Sequence, residues 1–225
     1  MFSKISIQDE SHQWQKIGVS GRDADKILSE ILNKNIIYEA NHAKQIERDL
    51  QQHIFNDTND ILILSLPGNE PRFELIAPST SSSLTTLWEI LSQQAEIQDL
   101  EYWKLLDIRS GIPEIWPETT EQLLPHYINL PQLNAVSFTK GCYCGQEIIA
   151  RMEYRAKIKR HMIHAILPNT RQVPVPGTLL FEKNEENSDQ TKDIGTVVTA
   201  SPTATGVEML IEVLDEYATN WRCLV

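Results

Sequence analysis

Residues 137–161 read SFTKGCYCGQEIIARMEYRAKIKRH, and the interpretation of the whole chain starts from this stretch. Gly141 and Gly145 bracket a short segment, and glycine allows backbone conformations that a Cβ atom forbids. After Gly145 the apolar residues fall at roughly helical spacing. The stretch therefore predicts a short strand or loop, a tight turn and then a helix.

Cys142 lies just before the start of the predicted helix, where unpaired N–H groups and the helix dipole favour an anion. Lys140 is close by, and Arg151 and Arg155 follow one turn apart on the helix. We expect such a thiol to lose its proton more easily than a free one, and the thiolate is the reactive form. Cysteine is also among the most often buried residue types. The residues alone therefore leave a functional and a structural role open.

Residues 140–147, Lys-Gly-Cys-Tyr-Cys-Gly-Gln-Glu, resemble the signature K-G-C-Y-x-G-Q-E of the YgfZ-type folate-binding proteins. This family is distantly related to the glycine-cleavage T-protein, an aminomethyltransferase. The similarity extends upstream to residues 107–113 and downstream to the basic pair at 159–160. It covers roughly residues 100–165, and an eight-residue signature with matching flanks is more specific than a short glycine motif.

The resemblance implies roles for individual residues. Cys142 is then the functional thiol, and the rest of the motif holds its loop. These motif residues are Lys140, Gly141, Tyr143, Gly145, Gln146, Glu147 and Arg151. The family's folate pocket implies cofactor-binding roles for Trp14, Trp103 and Arg109. For each tryptophan, an ordinary partly buried aromatic is the alternative.

Cys144 stands where the family usually has threonine or another small residue. The Cys142–Cys144 pair is a candidate ligand pair, a candidate redox pair, or one working thiol with a bystander. Cysteines this close are weak grounds for a metal site, since zinc sites use wider spacing and need four ligands. We therefore predict no metal site. Cys223, in the last predicted strand, is expected in the core.

The resemblance also implies a function. It points to a protein that supports the assembly or repair of iron–sulfur proteins, and thereby acts indirectly on tRNA modification. Tetrahydrofolate or a derivative is the implied cofactor, and iron–sulfur assembly or client proteins are the implied partners. Two alternatives stay open. One is a folate-dependent aminomethyltransferase-like enzyme, although no well-placed Asp is evident in the N-terminal half. The other is a binding module that has lost folate.

The expected fold is α+β, of the T-protein and YgfZ type, with a small C-terminal β-barrel. The N-terminal half is shortened, since it lacks the family's glutamine–glycine segment. We place an α+β folate-binding-like domain with the cysteine motif at residues 1–157 and the barrel domain at 158–225.

Periodicity predicts the individual elements. The expected strands are 14–20, 61–66, 72–77, 97–107, 161–167, 178–182, 194–201, 207–214 and 221–225; the expected helices begin near residues 24, 41 and 79. In the third helix, the predicted core-facing side chains are Leu84, Leu87, Trp88 and Leu91.

The overall charge and composition disfavour some classes of binding partner. The 225 residues carry a net charge of −11, and the pI is near 5.0. This balance argues against unspecific binding to nucleic acid or to anionic membranes. No apolar run approaches the roughly 20 residues of a membrane helix. An odd count of three cysteines and an N-terminus without a signal-peptide core lead us to expect a cytoplasmic protein.

Basic residues between 151 and 161 form an island in this acidic chain. A solvated helix face is one interpretation. A docking patch for an anionic tail, such as the glutamates of folate, or for a partner protein is the other.

Overall fold

The computed structural model describes residues 6–32, 36, 61–182 and 192–218. These residues form two antiparallel sheets and several helices, so the predicted mixture of α and β structure is confirmed. The chain divides into two compact units, Met1–Ile97 and Gln98–Val225. The proposed domain boundary between residues 157 and 158 stays a prediction.

The described part of the N-terminal unit is a three-stranded sheet with two α-helices. Its strands, in the order β1-β3-β2, are β1, Trp14–Ser20, β2, Leu62–Ser65, and β3, Arg72–Pro78. Helix α1, Ala24–Leu32, follows β1, and helix α2, Ser82–Gln94, follows β3. All five elements lie where the periodicity of the sequence predicts them. The predicted helix that begins near residue 41 lies outside the described residues.

One cluster of buried residues joins this sheet to both helices, with Leu28 on α1, Leu75 on β3 and Leu87 on α2 among its members. Leu84 and Leu91 are buried on the same face of α2 as Leu87. The prediction that Trp88 also faces the core is wrong, because 43% of its surface is exposed. Successive residues of a helix are rotated by about 100°, so Trp88 lies beside the buried stripe.

The C-terminal unit has a four-stranded antiparallel sheet in the order β4-β7-β6-β5. Its strands are β4, Arg160–Pro168, β5, Leu179–Glu182, β6, Lys192–Thr203, and β7, Gly206–Leu214. Over the described residues, β4 and β5 have no strand on their outer edges. Within these residues the sheet is therefore open and does not close into the predicted barrel, because closure requires the edge strands to pair. The predicted strand at 221–225 and Cys223 lie outside the described residues.

Strand β7 is an inner strand of this sheet, between β4 and β6, and both of its faces are buried. On one face, Met209 and Ile211 belong to a cluster of buried apolar residues. On the other face, Leu210 packs in a second cluster with Ile108 and Ile128. The second cluster attaches the segment between residues 100 and 135 to the sheet.

Three α-helices complete the described part of this unit: α3, Leu100–Arg109, α4, Gln146–Tyr154, and α5, Asp215–Ala218. A short 3₁₀ turn occurs at Pro117–Thr119 in this unit, and another occurs at Ser11–Gln13 in the N-terminal unit. No helix in the described ranges combines the length and the apolar character that crossing a membrane requires.

The predicted strand at 97–107 is wrong, because helix α3 occupies most of it. The Asp99 side chain accepts a hydrogen bond from the Tyr102 amide at 2.9 Å, which caps the start of the helix. Leu105 and Ile108, three residues apart, are buried. The helix packs on β6 and β7. The helical spacing of these two core residues is consistent with a helix in this segment.

Neighbouring residues of α2 provide a test of this packing. We predict that Leu87→Ala lowers the free energy of unfolding by about 2–5 kcal/mol, as for other truncations of buried leucines. Trp88→Ala should cost clearly less, although it removes a larger side chain, because Trp88 is half exposed. Urea unfolding followed by circular dichroism measures both. A loss for Trp88→Ala that equals or exceeds that of Leu87→Ala would contradict the described orientation of α2.

Candidate functional site

The cysteine loop, residues 137–145, turns directly into helix α4. Gly145, the residue before the helix, has φ +83°, in the left-handed region that glycine adopts without strain. The Gln146 amide donates to the Tyr143 carbonyl oxygen at 3.2 Å. The Ile149 amide donates to the Gly145 carbonyl oxygen, also at 3.2 Å. The predicted succession of loop, turn and helix is therefore confirmed.

Both cysteines of the loop are exposed. Neither Cys142 nor Cys144 is in a disulfide. Tyr143, between them, is only partly exposed, and its hydroxyl oxygen is buried without a hydrogen-bond partner in the described structure. The inward Tyr143 side chain therefore lies between two exposed cysteines.

Lys140 packs against the same tyrosine. Its Nζ lies 4.8 Å from the centroid of the Tyr143 ring, within the range of a cation–π contact. The Lys140 amide also donates to Ser137 Oγ at 3.2 Å. These contacts hold an ammonium group two residues before Cys142, and they give Lys140 and Tyr143 a structural role in the loop.

Aromatic contacts anchor the start of the loop. The Phe138 ring meets the Tyr154 ring of α4 edge to face, with centroids 6.0 Å apart. It also lies 6.3 Å from the ring of His126, which is only 1% exposed. His126 Nε2 is 3.2 Å from the Glu153 carboxylate on α4. His126 thus connects the loop, the helix and the proline-rich segment that precedes them.

The remaining motif residues lie on the first turns of α4. Ile149 is buried and fixes the helix to the protein. Gln146 is partly exposed, whereas Glu147 and Arg151 are exposed, and no ion pair joins the two. The Arg151 carbonyl accepts the amides of Arg155 and Ala156 at the helix end, each at 3.0 Å. The side chains of Glu147 and Arg151 therefore remain available at the surface.

Arg109 contacts the sheet of its own unit. At the end of α3, its guanidinium donates two hydrogen bonds to Glu208 on β7, at 3.0 Å from Nε and 2.7 Å from Nη2. His164 Nε2 on β4 lies 3.0 Å from the same carboxylate. This bidentate ion pair attaches α3 to the sheet. Glu208 and His164 carried no signal in the sequence, since Glu208 is 99 residues from Arg109.

The pKa values of two glutamates on β7, Glu208 and Glu212, are shifted in opposite directions. The hydrogen bond from Arg109, supported by the charges of Arg109 and His164, holds the pKa of Glu208 below its ordinary value. Burial raises the pKa of Glu212, although Arg160 lies 3.0 Å from its carboxylate. Hydrogen bonding to the charged form dominates at Glu208, and desolvation dominates at Glu212.

Trp14 and Trp103, the two tryptophans that the resemblance assigns to folate binding, lie in different units. Trp14 is the first residue of β1 in the N-terminal unit and is 49% exposed. Trp103 lies on α3 in the C-terminal unit and is partly exposed. A half-exposed indole such as that of Trp14 is suited to stacking on a flat aromatic ligand. Trp103 is on a helix rather than on the predicted strand.

The basic island divides into two groups. Arg160 pairs with Glu212, and His161 Nδ1 lies 2.6 Å from Asp215 Oδ1. The side chains of Arg151, Arg155, Lys157 and Lys159 are exposed. Only the exposed group is open to an anionic partner.

Metal-binding side chains do not form groups of three in the part of the chain that the structure describes. In these ranges, no three His, Cys, Asp or Glu residues come together to hold a metal ion. Among the described residues of these types, an ion at the cysteine loop would therefore have at most the two thiols as side-chain ligands.

Known proteins resemble most of this chain. It is 34% identical over 200 residues to the tRNA-modifying protein YgfZ of Yersinia pestis (strain Pestoides F), an alignment that covers 89% of this chain and 54% of that protein. It is 30% identical over 191 residues to the protein of the same name from Hamiltonella defensa subsp. Acyrthosiphon pisum (strain 5AT), covering 85% of this chain and 52% of that protein. No protein-family model matches. The chain spans about half the length of the curated relatives it matches.

The Arg109–Glu208 pair predicts a pH dependence of stability. Because the pKa of Glu208 is lower in the folded protein, its stabilising contribution is present above the unfolded value of about 4.3 and is lost as the pH falls through the folded value. We expect Glu208→Gln to be less stable than wild type at neutral pH, with a difference that shrinks on acidification. Urea unfolding between pH 7 and about 3 measures it.

The exposed carboxylate of Glu114 provides the control for this experiment. Glu114→Gln should follow the wild-type pH profile. If the difference between Glu208→Gln and wild type stays constant across the pH range, the ion pair does not stabilise the fold as described.

Proposed function

The chain belongs to the YgfZ family over the 200 residues that it shares with the Yersinia protein, and we propose that it supports tRNA modification indirectly, by serving the assembly or repair of iron–sulfur proteins. The names of its relatives support the link to tRNA modification. The link to iron–sulfur proteins and to a reduced folate rests on the resemblance of the cysteine motif. For the complete fold we propose the T-protein type, with a shortened N-terminal half.

One observation carries this proposal: the Cys142 thiol is exposed in a loop that leads directly into α4. A thiol that acts on another protein has to be reachable by it, and an exposed loop on an ordered helix meets this requirement. The unpaired N–H groups at the start of α4 favour negative charge close to the loop. The exposed side chains of Glu147 and Arg151 offer polar contacts beside it.

The proposed partners are iron–sulfur assembly or client proteins. With two exposed thiols in the loop, a cluster in transit at Cys142 would take its other ligands from the partner. Cluster irons are usually held by four cysteine thiolates. The cluster is then cargo at this site, and this chain contributes a thiol and a docking surface.

Tetrahydrofolate or a derivative is the proposed cofactor, and the candidate residues fit it to different degrees. Trp14 is 49% exposed, so its indole is accessible for stacking on a pterin ring. Arg109 fits less well, because two of its donors already bind Glu208. Bidentate binding of a folate carboxylate by Arg109 would require this ion pair to break. The occupied Arg109 favours the second candidate function, a module that acts through its cysteine loop without folate.

The two cysteines of the loop separate the proposed roles. We predict that Cys142→Ala abolishes function, since only Cys142 matches the signature cysteine, and that Cys144→Ala retains it. The measurement is the level of a tRNA modification made by an iron–sulfur enzyme, in bacteria that lack their own family member and express each variant. Wild type is the reference for rescue, and expression is checked for each variant. Loss of rescue with Cys144→Ala alone would overturn this ranking.

Folate binding is tested separately on the purified protein. We predict that 5-formyl-tetrahydrofolate quenches tryptophan fluorescence saturably, and that Trp14→Leu and Trp103→Leu weaken binding. Trp88→Leu serves as the control, because Trp88 is also half exposed but is not a candidate ligand. No binding at millimolar ligand would refute the folate proposal and leave the cysteine loop as the functional site.

A further inference from the structure

We propose that Cys142 and Cys144 together form a two-thiolate binding site for a soft monovalent cation of the Cu(I) class. This inference goes beyond the proposed function, which uses Cys142 alone. It also departs from the prediction of no metal site, because that prediction considered zinc sites with four ligands. It depends on neither folate nor iron–sulfur proteins. It gives a role to Cys144, the loop residue that departs from the family motif.

The loop keeps two cysteines exposed within a span of three residues. Tyr143 turns inward, with its hydroxyl buried and its ring 4.8 Å from the Lys140 ammonium. The residues on either side of it, Cys142 and Cys144, are both exposed and free of disulfides. Two free cysteines therefore lie one residue apart on one short loop whose middle residue is held in place.

The number of ligands decides which ion fits. No third His, Cys, Asp or Glu joins the two thiols to form a metal-binding group in the described part of the chain. Zinc requires four ligands in structural sites, and in catalytic sites three protein ligands with water. Calcium and magnesium require oxygen ligands. Soft thiolates select Cu(I), and Cu(I) accepts two thiolates in a nearly linear arrangement.

The charge of the resulting complex suits this position. Binding forms two Cu–S bonds, breaks two S–H bonds and releases two protons to solvent, while copper remains Cu(I). Two thiolates and one Cu(I) leave a single negative charge on the complex. That charge lies just before the nine-residue helix α4, whose start carries about half a positive elementary charge. The nearby Lys140 ammonium adds a second favourable charge.

A competition titration tests the proposal. The full chain, reduced and kept free of oxygen, is titrated with Cu(I) in the presence of bathocuproine disulfonate, a coloured Cu(I) chelator. We expect wild type to withdraw one Cu(I) per chain. Because two ligands linked in one loop bind cooperatively, Cys142→Ser and Cys144→Ser should each lower the affinity about 100-fold or more.

Cys223 provides the control, since it is the third cysteine and lies outside the loop. Cys223→Ser should bind Cu(I) as wild type does. Circular dichroism of each variant separates a lost ligand from a lost fold. Wild-type affinity in Cys144→Ser would overturn the proposal, and so would a requirement for Cys223 or one Cu(I) shared by two chains. These outcomes leave the proposed function standing, because that function is tested by tRNA modification with Cys142→Ala.

Discussion

The left-handed backbone of Gly145, at φ +83°, is the constraint on which the candidate site depends. It ends the cysteine loop and allows α4 to begin at the next residue. A Cβ atom at this position would meet no neighbouring atom within 4 Å, so the preference for glycine comes from the backbone angle and not from crowding at the Cβ position. The turn presents Cys142 and Cys144 to solvent while Tyr143 packs inward.

Side-chain contacts between the loop, helix α4 and the segment around His126 hold this turn in place. Phe138 packs on Tyr154 of α4, and the buried His126 reaches Glu153 on the same helix. The segment that carries His126 is in turn attached to the sheet, because Asn129 donates to the Met162 carbonyl at 2.8 Å. The site is therefore an exposed loop on a supported helix, as expected of a surface that works by contact with other molecules.

Elements with strong periodicity were predictable from the sequence, including β1, α1, β7 and the start of α4. Helix α3 was not, because the apolar and aromatic residues of Glu101–Leu106 also suit a strand, and the hydrogen bond from the Tyr102 amide to the Asp99 side chain is evident only in the structure. The cysteine loop was predictable because its information is local. The His126–Glu153 and Arg109–Glu208 pairs were not, because their partners are 27 and 99 residues apart and are brought together only by the fold.

If Cys142 is functional as proposed, its function depends on the turn at Gly145, and replacing Gly145 tests this dependence. Asparagine tolerates the left-handed region better than alanine, although its side chain is larger. The measurement is the rescue of tRNA modification by Gly145→Asn and Gly145→Ala in bacteria lacking their own family member. We expect the asparagine variant to retain clearly more function than the alanine variant. Equal rescue by both variants, or better rescue by alanine, would contradict it.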